Sequence, residues 1–295
     1  WMRSQKIDFE GNRSELELVD VNEQPQADCH LFCQIGFLDD SYFFRSYWTY
    51  GRRVTGGYGG WMKAGRLVPS GRILCFDEEN VYGFGRKPEF MTNSSVLQYQ
   101  LFSADRLVAE EAIQQLAKTE REINSRSPNK NANMSDWLLR HFYPAEDLTA
   151  TNFDWRQEQP SLTVRAMTVN ADAVFAAGPP NYLDERQVYR NPGQPETEAA
   201  IAEQAEALAG RRGARLWTLS KEDGSILQRY ELDSPPVFDG MAAADGALFV
   251  CSMDGFVTRL SSGENTESLQ TVNDEPVSVI WDQPEDPSYL RPVGN

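Results

Sequence analysis

Residues 215–260 read RLWTLSKEDGSILQRYELDSPPVFDGMAAADGALFVCSMDGFVTRL, and this stretch decides the fold. Short runs of apolar residues alternate in it with the turn pairs Asp223-Gly224, Asp245-Gly246 and Asp254-Gly255. An Asp-Gly pair between apolar runs is a strong hairpin signal, because glycine accepts the positive φ that such a turn requires. Helix-length connections are missing between these runs, so the pattern indicates an antiparallel meander. The predicted strands cover residues 215–220, 225–232, 241–243, 247–251 and 256–260.

The same hairpin form occurs twice earlier in the chain. Residues 73–84 hold two apolar runs around the polar turn 77–80. Residues 162–176 hold two more around the turn 169–172. Apolar runs that flank a polar turn predict paired strands. A hydrophobic unit therefore recurs near residues 73–84, 164–176 and 241–250.

Two insertions interrupt this repeat. The first covers about residues 103–143, and its part 103–124 has the composition and apolar spacing of a helix. The second covers residues 181–213 and contains an Ala/Glu-rich helix at 196–209, which Gly210 closes. We interpret both insertions as loop excursions on one face of the fold rather than as separate domains.

Hairpin units that recur along a chain predict a repeat architecture in which each sheet packs against its neighbours. We therefore expect an all-β fold, a β-propeller of four-stranded antiparallel blades with helical loop insertions, over residues 1–295. The visible units account for about three to five blades, fewer than most closed rings contain. The chain begins at Trp1 rather than at an initiator methionine. Either further blades are disguised in the first hundred residues of a single propeller, or the chain is a partial ring, the C-terminal part of a longer protein whose remainder would complete it. The start at Trp1 favours the second alternative.

Several segments resemble one known group of proteins. Residues 216–224 (LWTLSKEDG) and 232–243 (LDSPPVFDGMAA) resemble the repeats of PQQ-like, quinoprotein-type β-propellers in large bacterial exported proteins. So do residues 36–40 with 45–48 (GFLDD and RSYW), and residues 71–76 (GRILCF). The resemblance implies a propeller in the periplasm, secreted, or at the cell surface. True PQQ dehydrogenases carry a vicinal disulfide, a tryptophan floor, calcium and a catalytic aspartate.

The cysteines of this chain are not adjacent to one another; they are Cys29, Cys33, Cys75 and Cys251. "PQQ-like" therefore describes a fold here, and we expect no cofactor, with PQQ and calcium as the alternative. Four cysteines are too few for a disulfide scaffold, and a structural zinc site usually needs a second spaced pair. The pattern leaves open whether these thiols are free or form one disulfide.

Aromatic and charged residues concentrate between residues 37 and 61. One interpretation is a ligand face, because aromatic planes stack on flat ligands or sugars while Arg and Asp fix polar groups. The other is packing between blades, the commoner fate of buried aromatic rings. If the face binds a ligand, the predicted binding residues are Asp39, Arg45, Tyr47, Trp48, Tyr58 and Trp61.

Charge and motifs exclude several function classes. The net charge is −16 and the pI about 4.6, so the surface repels nucleic acid and anionic membranes. The sequence has no apolar run of the roughly 20 residues that a membrane helix needs. The histidines His30 and His141 lie in no catalytic motif, so we assign them no catalytic role, and the sequence identifies no catalytic residue.

These observations predict a scaffold or binding module for a protein or glycan partner rather than an enzyme. The alternative is an enzyme that uses a propeller face, either a quinoprotein-type dehydrogenase or a carbohydrate-active enzyme. Paired carboxylates for glycoside chemistry would be invisible in the sequence, because their separation is set by the fold.

Overall fold

A computed structural model describes residues 2–4, 10–15, 17–19, 30–33, 48–51, 65–90, 98–126, 142–261 and 269–272. Most of the regular secondary structure in these residues is β-strand, and the strands form antiparallel sheets. The strands are β1 (Met2–Ser4), β2 (Glu17–Val19), β3 (His30–Cys33), β4 (Trp48–Gly51), β5 (Ser70–Gly71), β6 (Ile73–Phe76), β7 (Asn80–Arg86), β8 (Tyr99–Asp105), β9 (Phe153–Gln157), β10 (Ala166–Val169), β11 (Ala173–Gly178), β12 (Ala214–Ser220), β13 (Ile226–Leu232), β14 (Pro236–Ala244), β15 (Ala247–Ser252) and β16 (Val257–Ser261). The α-helices are α1 (Glu110–Arg126), α2 (Glu185–Arg190) and α3 (Pro195–Leu208).

Strands that follow one another in sequence pair with one another. The described strands form a two-stranded sheet β1-β2, a three-stranded sheet β3-β4-β5, two four-stranded sheets β6-β7-β8-β9 and β10-β11-β12-β13, and a three-stranded sheet β14-β15-β16. We name the last three the first, second and third meanders. Helix α1 is inserted between β8 and β9, and α2 and α3 between β11 and β12. Both insertions are therefore excursions from a meander.

The hairpins predicted from sequence are confirmed. Strand β6 pairs with β7, β10 with β11, and β12 with β13, each antiparallel. The second insertion holds its predicted helix as α3, and Gly210 follows its end with a φ of +83°. Proline occupies the first turn of α3, where its missing N–H costs no helical hydrogen bond.

The predicted helix at 103–124 is wrong at its beginning. Residues 103–105 belong to β8, and α1 begins only at Glu110. Strand β8 pairs with β7 on one side and β9 on the other, and it buries Leu101 and Phe102. Pairing and burial on this scale override the helical composition of the adjoining segment.

Strand β12 of the second meander is buried on both of its faces. Trp217 and Leu219 of β12 join a core cluster with Phe84 of the first meander, and each is at most 3% exposed. Leu216 points to the opposite face, where it packs with Met241 of the third meander. Successive side chains of a strand point to opposite faces, so β12 lies between two neighbouring sheets.

The first strands of the three meanders lie side by side. Strand β10 contacts both β6 and β14. The Asp239 N–H of β14 donates a hydrogen bond to the Arg165 carbonyl oxygen just before β10, at 2.8 Å. This arrangement brings the beginnings of β6, β10 and β14 to a common place, which holds the candidate site.

Candidate functional site

Two arginines occupy the same place in successive meanders. The Arg72 N–H, just before β6, donates to the Phe84 carbonyl oxygen at 2.9 Å, and the Arg165 N–H, just before β10, donates to the Ala177 carbonyl oxygen at 2.9 Å. Phe84 is the partner of the first residue of β6, and Ala177 is the partner of the first residue of β10. The two arginines are therefore structural equivalents, placed by the same hairpin geometry.

The third meander completes a cleft around these arginines. The cleft has a volume of about 350 Å³, and we name it the basic cleft. Its walls are Arg72, Thr163, Val164, Arg165, Leu208, Val237, Phe238 and Met253. Leu208, Val237 and Met253 are 41%, 40% and 48% exposed, so apolar surface surrounds the two cations.

A second cleft, of about 250 Å³, adjoins the first, and we name it the polar cleft. Its walls include Tyr99 and the side-chain amides of Gln98, Asn181 and Gln204. Arg72, Thr163 and Leu208 line both clefts, so the two form one continuous trough. The Tyr99 ring is held in place by the Phe84 ring, stacked on it with 4.9 Å between centroids.

The Arg165 guanidinium of the basic cleft is held by uncharged neighbours. One Arg165 Nη donates to the Leu208 carbonyl oxygen at 2.7 Å, and the other lies 2.7 Å from the Met253 sulfur. Within the described part of the chain, Arg165 forms no ion pair with a carboxylate. Burial, followed by repulsion from Arg72, lowers the pKa of Arg165. A bound anion would relieve both effects, because it compensates charge in a partly desolvated place.

The carboxylates of the polar cleft are already engaged. Glu158 accepts ion pairs from Lys87 at 3.5 Å and from Arg156 at 3.0 Å. Asp184 caps α2 by accepting the Arg186 N–H at 2.9 Å, and it also accepts from Gln98 at 3.1 Å. The amides of the polar cleft are engaged as well, because Gln98 donates to Asp184, Asn181 donates to the Pro160 carbonyl oxygen, and Gln204 donates to the Pro180 carbonyl oxygen and accepts the Tyr182 N–H.

Trp48 is the one predicted ligand-binding residue whose side chain is described. It is half-buried in β4 and packs against the cluster that contains Tyr50 and Phe102. It lines neither cleft of the trough. The other predicted binding residues lie outside the described residues; they are Asp39, Arg45, Tyr47, Tyr58 and Trp61.

Cys75 and Cys251 are free thiols. Burial, followed by the nearby carboxylates of Asp77 and Asp239, raises the pKa of Cys75. Such a thiol is a packing group rather than a nucleophile. Among the residues whose placement is described, no group of three or more His, Cys, Asp or Glu side chains could hold a metal ion.

Sequence reasoning missed the trough, although the chain contained a signal for it. Arg72 and Arg165 each stand directly before the first strand of a predicted hairpin, and superposing the hairpins would have aligned them. The pair Asp239-Gly240 was a second signal. Asp239 has a φ of +57° inside β14, where the register with β15 shifts. The resulting bulge lies beside Phe238, which lines the basic cleft.

Comparison of the chain with protein-family models, with curated proteins and with solved structures found no match. None of the helices in the described ranges has the length and apolar character needed to cross a bilayer.

Proposed function

We propose that the meanders are blades of a β-propeller. In that architecture the first strands of successive blades adjoin, and each inner blade buries both faces against its neighbours. The adjacency of β6, β10 and β14 supports this assignment. So does the double burial of β12, with Leu216 on one face and Trp217 on the other.

We propose further that this propeller is a non-catalytic binding module that holds a protein partner in the trough. The observation that carries the proposal is the pair Arg72 and Arg165, brought to equivalent strand beginnings and surrounded by exposed apolar side chains. Arginine beside apolar surface is the composition of protein-binding sites. A glycan would leave Leu208, Val237 and Met253 without an apolar partner, so the trough favours a protein.

The resemblance to PQQ-like propellers adds two parts to this proposal. In a bacterium, the module works in the periplasm, as a secreted protein or at the cell surface, and it does so without a bound quinone. Neither part depends on the trough, so each has its own test. Localisation is tested by fractionating cells that express the native protein.

A selection against peptides and glycans tests the binding proposal. The chain is immobilised and challenged with random peptides displayed on phage and with a glycan array. We expect enriched peptides that carry a carboxylate and an apolar residue, and at least tenfold weaker binding by the Arg165→Glu variant. Arg121→Glu is the matched control. Arg121 is exposed on α1, away from the trough, and its replacement changes the net charge by the same amount.

Two results of the selection would overturn the proposal. Glycans that bind the wild type and both variants equally, while no peptide is enriched, would show that the trough is not a protein-binding site. Peptides that lose affinity equally in both variants would show that net charge, not the trough, attracts them.

A further inference from the structure

We infer that the space between the second and third meanders is a binding site for a small, neutral, aromatic molecule. This space is a cavity of about 820 Å³, and we name it the inter-meander cavity. It lies where β10 and β14 end, whereas the trough lies where they begin. The inference is therefore independent of the proposed function and has its own test.

The three meanders share one register, so their residues can be compared position by position. In each of them the ladder between the second and third strands starts at an equivalent pair; these pairs are Asn80–Asp105, Ala173–Ser220 and Ala247–Ser261. Counted from these pairs, Trp217 of β12 corresponds to Thr258 of β16. A bulge follows at the same place in β8–β9 and in β12–β13. Trp155, which pairs with Ser103, therefore corresponds to Gln228, which pairs with Thr218.

Two tryptophans fill the joint between the first and second meanders. Trp155 and Trp217 belong to one core cluster there, and they are 7% and 2% exposed. At the joint between the second and third meanders, the equivalent residues are Gln228 and Thr258, and both are exposed. Neither has the volume of an indole, and protein interiors are otherwise close-packed. The inter-meander cavity is thus the place that indole rings occupy in the preceding joint.

The walls of the cavity are mainly apolar and carry neutral hydrogen-bonding groups. Its apolar and aromatic walls come from one core cluster, and they are Phe175, Leu216, Tyr230, Leu248, Leu260 and Leu269. Thr218 and Gln228 add a hydroxyl and an amide. The segment 269–272 borders the cavity beside β13, where the Glu231 N–H donates to the Gln270 carbonyl oxygen at 3.0 Å. A volume of about 820 Å³ with apolar walls and few polar groups is typical of small-molecule sites.

The charges at the cavity favour a neutral ligand. Asp245 and Arg259 are its charged residues, one of each sign, and both are exposed. Leu260 packs toward the second meander, so the alternation of side chains along β16 directs Arg259 to the other face. There the Arg259 guanidinium donates to the Ser261 hydroxyl at 2.9 Å. An ion would lose its hydration in this cavity without gaining a partner, which is unfavourable.

The shape of the cavity favours a flat ligand. Its two principal walls are the facing sides of two sheets, and packed sheets lie about 10 Å apart. An aromatic ring fits such a slot and stacks on the rings of Phe175 and Tyr230, which line it. The Tyr230 hydroxyl and the Gln228 amide can then bind one polar group of the ligand.

A neutral fluorescent probe tests the inference. N-phenyl-1-naphthylamine, whose emission increases in apolar surroundings, is titrated into the native chain, and we expect a saturable increase. Gln228→Trp copies Trp155 and should weaken probe binding about tenfold or more, because the indole takes the space of the ligand. Leu227→Trp is the matched control, since Leu227 precedes Gln228 on β13, is 51% exposed and lies outside the cavity walls. Its affinity for the probe should equal that of the wild type.

Two further measurements complete the test. Thr258→Trp copies Trp217 from the opposite wall and serves should Gln228→Trp fail to fold; both variants should melt about 2–4 °C above the wild type. 1-Anilinonaphthalene-8-sulfonate has the same rings with a negative charge, and it should bind about tenfold weaker.

Four results would overturn the inference. They are the absence of a saturable increase, equal probe binding by the wild type and both cavity variants, tighter binding of the sulfonate than of the neutral probe, and a lower melting temperature in both variants. The last result would show that the joint has no room for a ring.

Discussion

The replacement Gly224→Ala tests whether the turn between β12 and β13 joins the second meander to the first. Gly224 has a φ of +68°, and a Cβ built on it would lie 2.4 Å from Trp155. The Trp155 indole N–H donates to the Lys221 carbonyl oxygen of the same turn at 2.8 Å. The Gln157 side chain donates to the Gly224 carbonyl oxygen at 2.9 Å. The matched control is Gly246→Ala, at a φ of +69° with no atom within 4 Å of the added carbon.

The control isolates the backbone effect from the contact. An alanine in the left-handed region costs about 1 kcal/mol, and this cost applies to both variants. In Gly224→Ala, Trp155 must also move, because contacts under 3.0 Å are not tolerated. Overpacking a well-filled core costs about 1–3 kcal/mol, and loss of the indole hydrogen bond costs about 1 kcal/mol. We therefore expect a loss of roughly 3–5 kcal/mol for Gly224→Ala and about 1 kcal/mol for Gly246→Ala.

Chemical denaturation measures both variants. Unfolding in urea is followed by far-UV circular dichroism and by tryptophan fluorescence, and midpoints are compared only where the slopes agree. Gly224→Ala should unfold at clearly lower urea, and its tryptophan emission should change in the native state. If the free energies of unfolding of the two variants agree within about 0.5 kcal/mol, the proposed contact between the turn and Trp155 is refuted.

Three further predictions concern other groups. Burial raises the pKa of Asp77, but hydrogen bonds from Lys221 and from two backbone N–H groups outweigh it and lower the pKa to about 2. The contribution of Asp77 to the free energy of unfolding should be fully present above pH ~4 and should be lost as the pH falls toward 2. The free energy of unfolding of Asp77→Asn, measured over the same pH range, should not show this loss. Cys75 should react with iodoacetamide far more slowly in the native than in the urea-unfolded chain, as peptide mass spectrometry would show, because burial raises its pKa. PQQ added with calcium should give no stoichiometric quinone spectrum, and dye reduction on addition would contradict the non-catalytic proposal.

The sequence predicted local pairing well because turns carry their own chemistry. Asp223-Gly224 and Asp245-Gly246 mark hairpins, and both glycines have the positive φ that those turns require. Asp239-Gly240 has the same letters but forms a bulge, since β14 keeps pairing with β15 on both sides of it, at Pro236 and at Met241. Whether an Asp-Gly pair forms a hairpin turn or a bulge therefore depends on how the neighbouring strand pairs, and the two residues alone do not specify that.

The trough was missed for a similar reason. Arg72 and Arg165 are far apart in sequence, and each alone is an ordinary residue before a strand. Their proximity depends on β6 and β10 lying side by side. The recurrence of hairpins predicts that neighbouring sheets pack together, but it does not specify which residues of those sheets meet. The predicted binding residues were instead placed in the aromatic cluster at residues 37–61. A sequence shows where aromatic residues are concentrated, but it does not show which distant residues come together in the fold. For the members of that cluster outside the described residues, ligand binding stays a prediction.

Charged residues at the two ends of β6 have opposite effects on the packing of the first meander against the second. Arg72 precedes β6 and Asp77 follows it, so the arginine pair and the Asp77–Lys221 ion pair of 2.6 Å lie at opposite ends of that strand. Repulsion between Arg72 and Arg165 works to separate the first and second meanders at one end. At the other end, the ion pair and the Trp155 contact hold the same two meanders together. The contacts made by residues 221–224 thus oppose, at one end of β6, the repulsion between Arg72 and Arg165 at the other end.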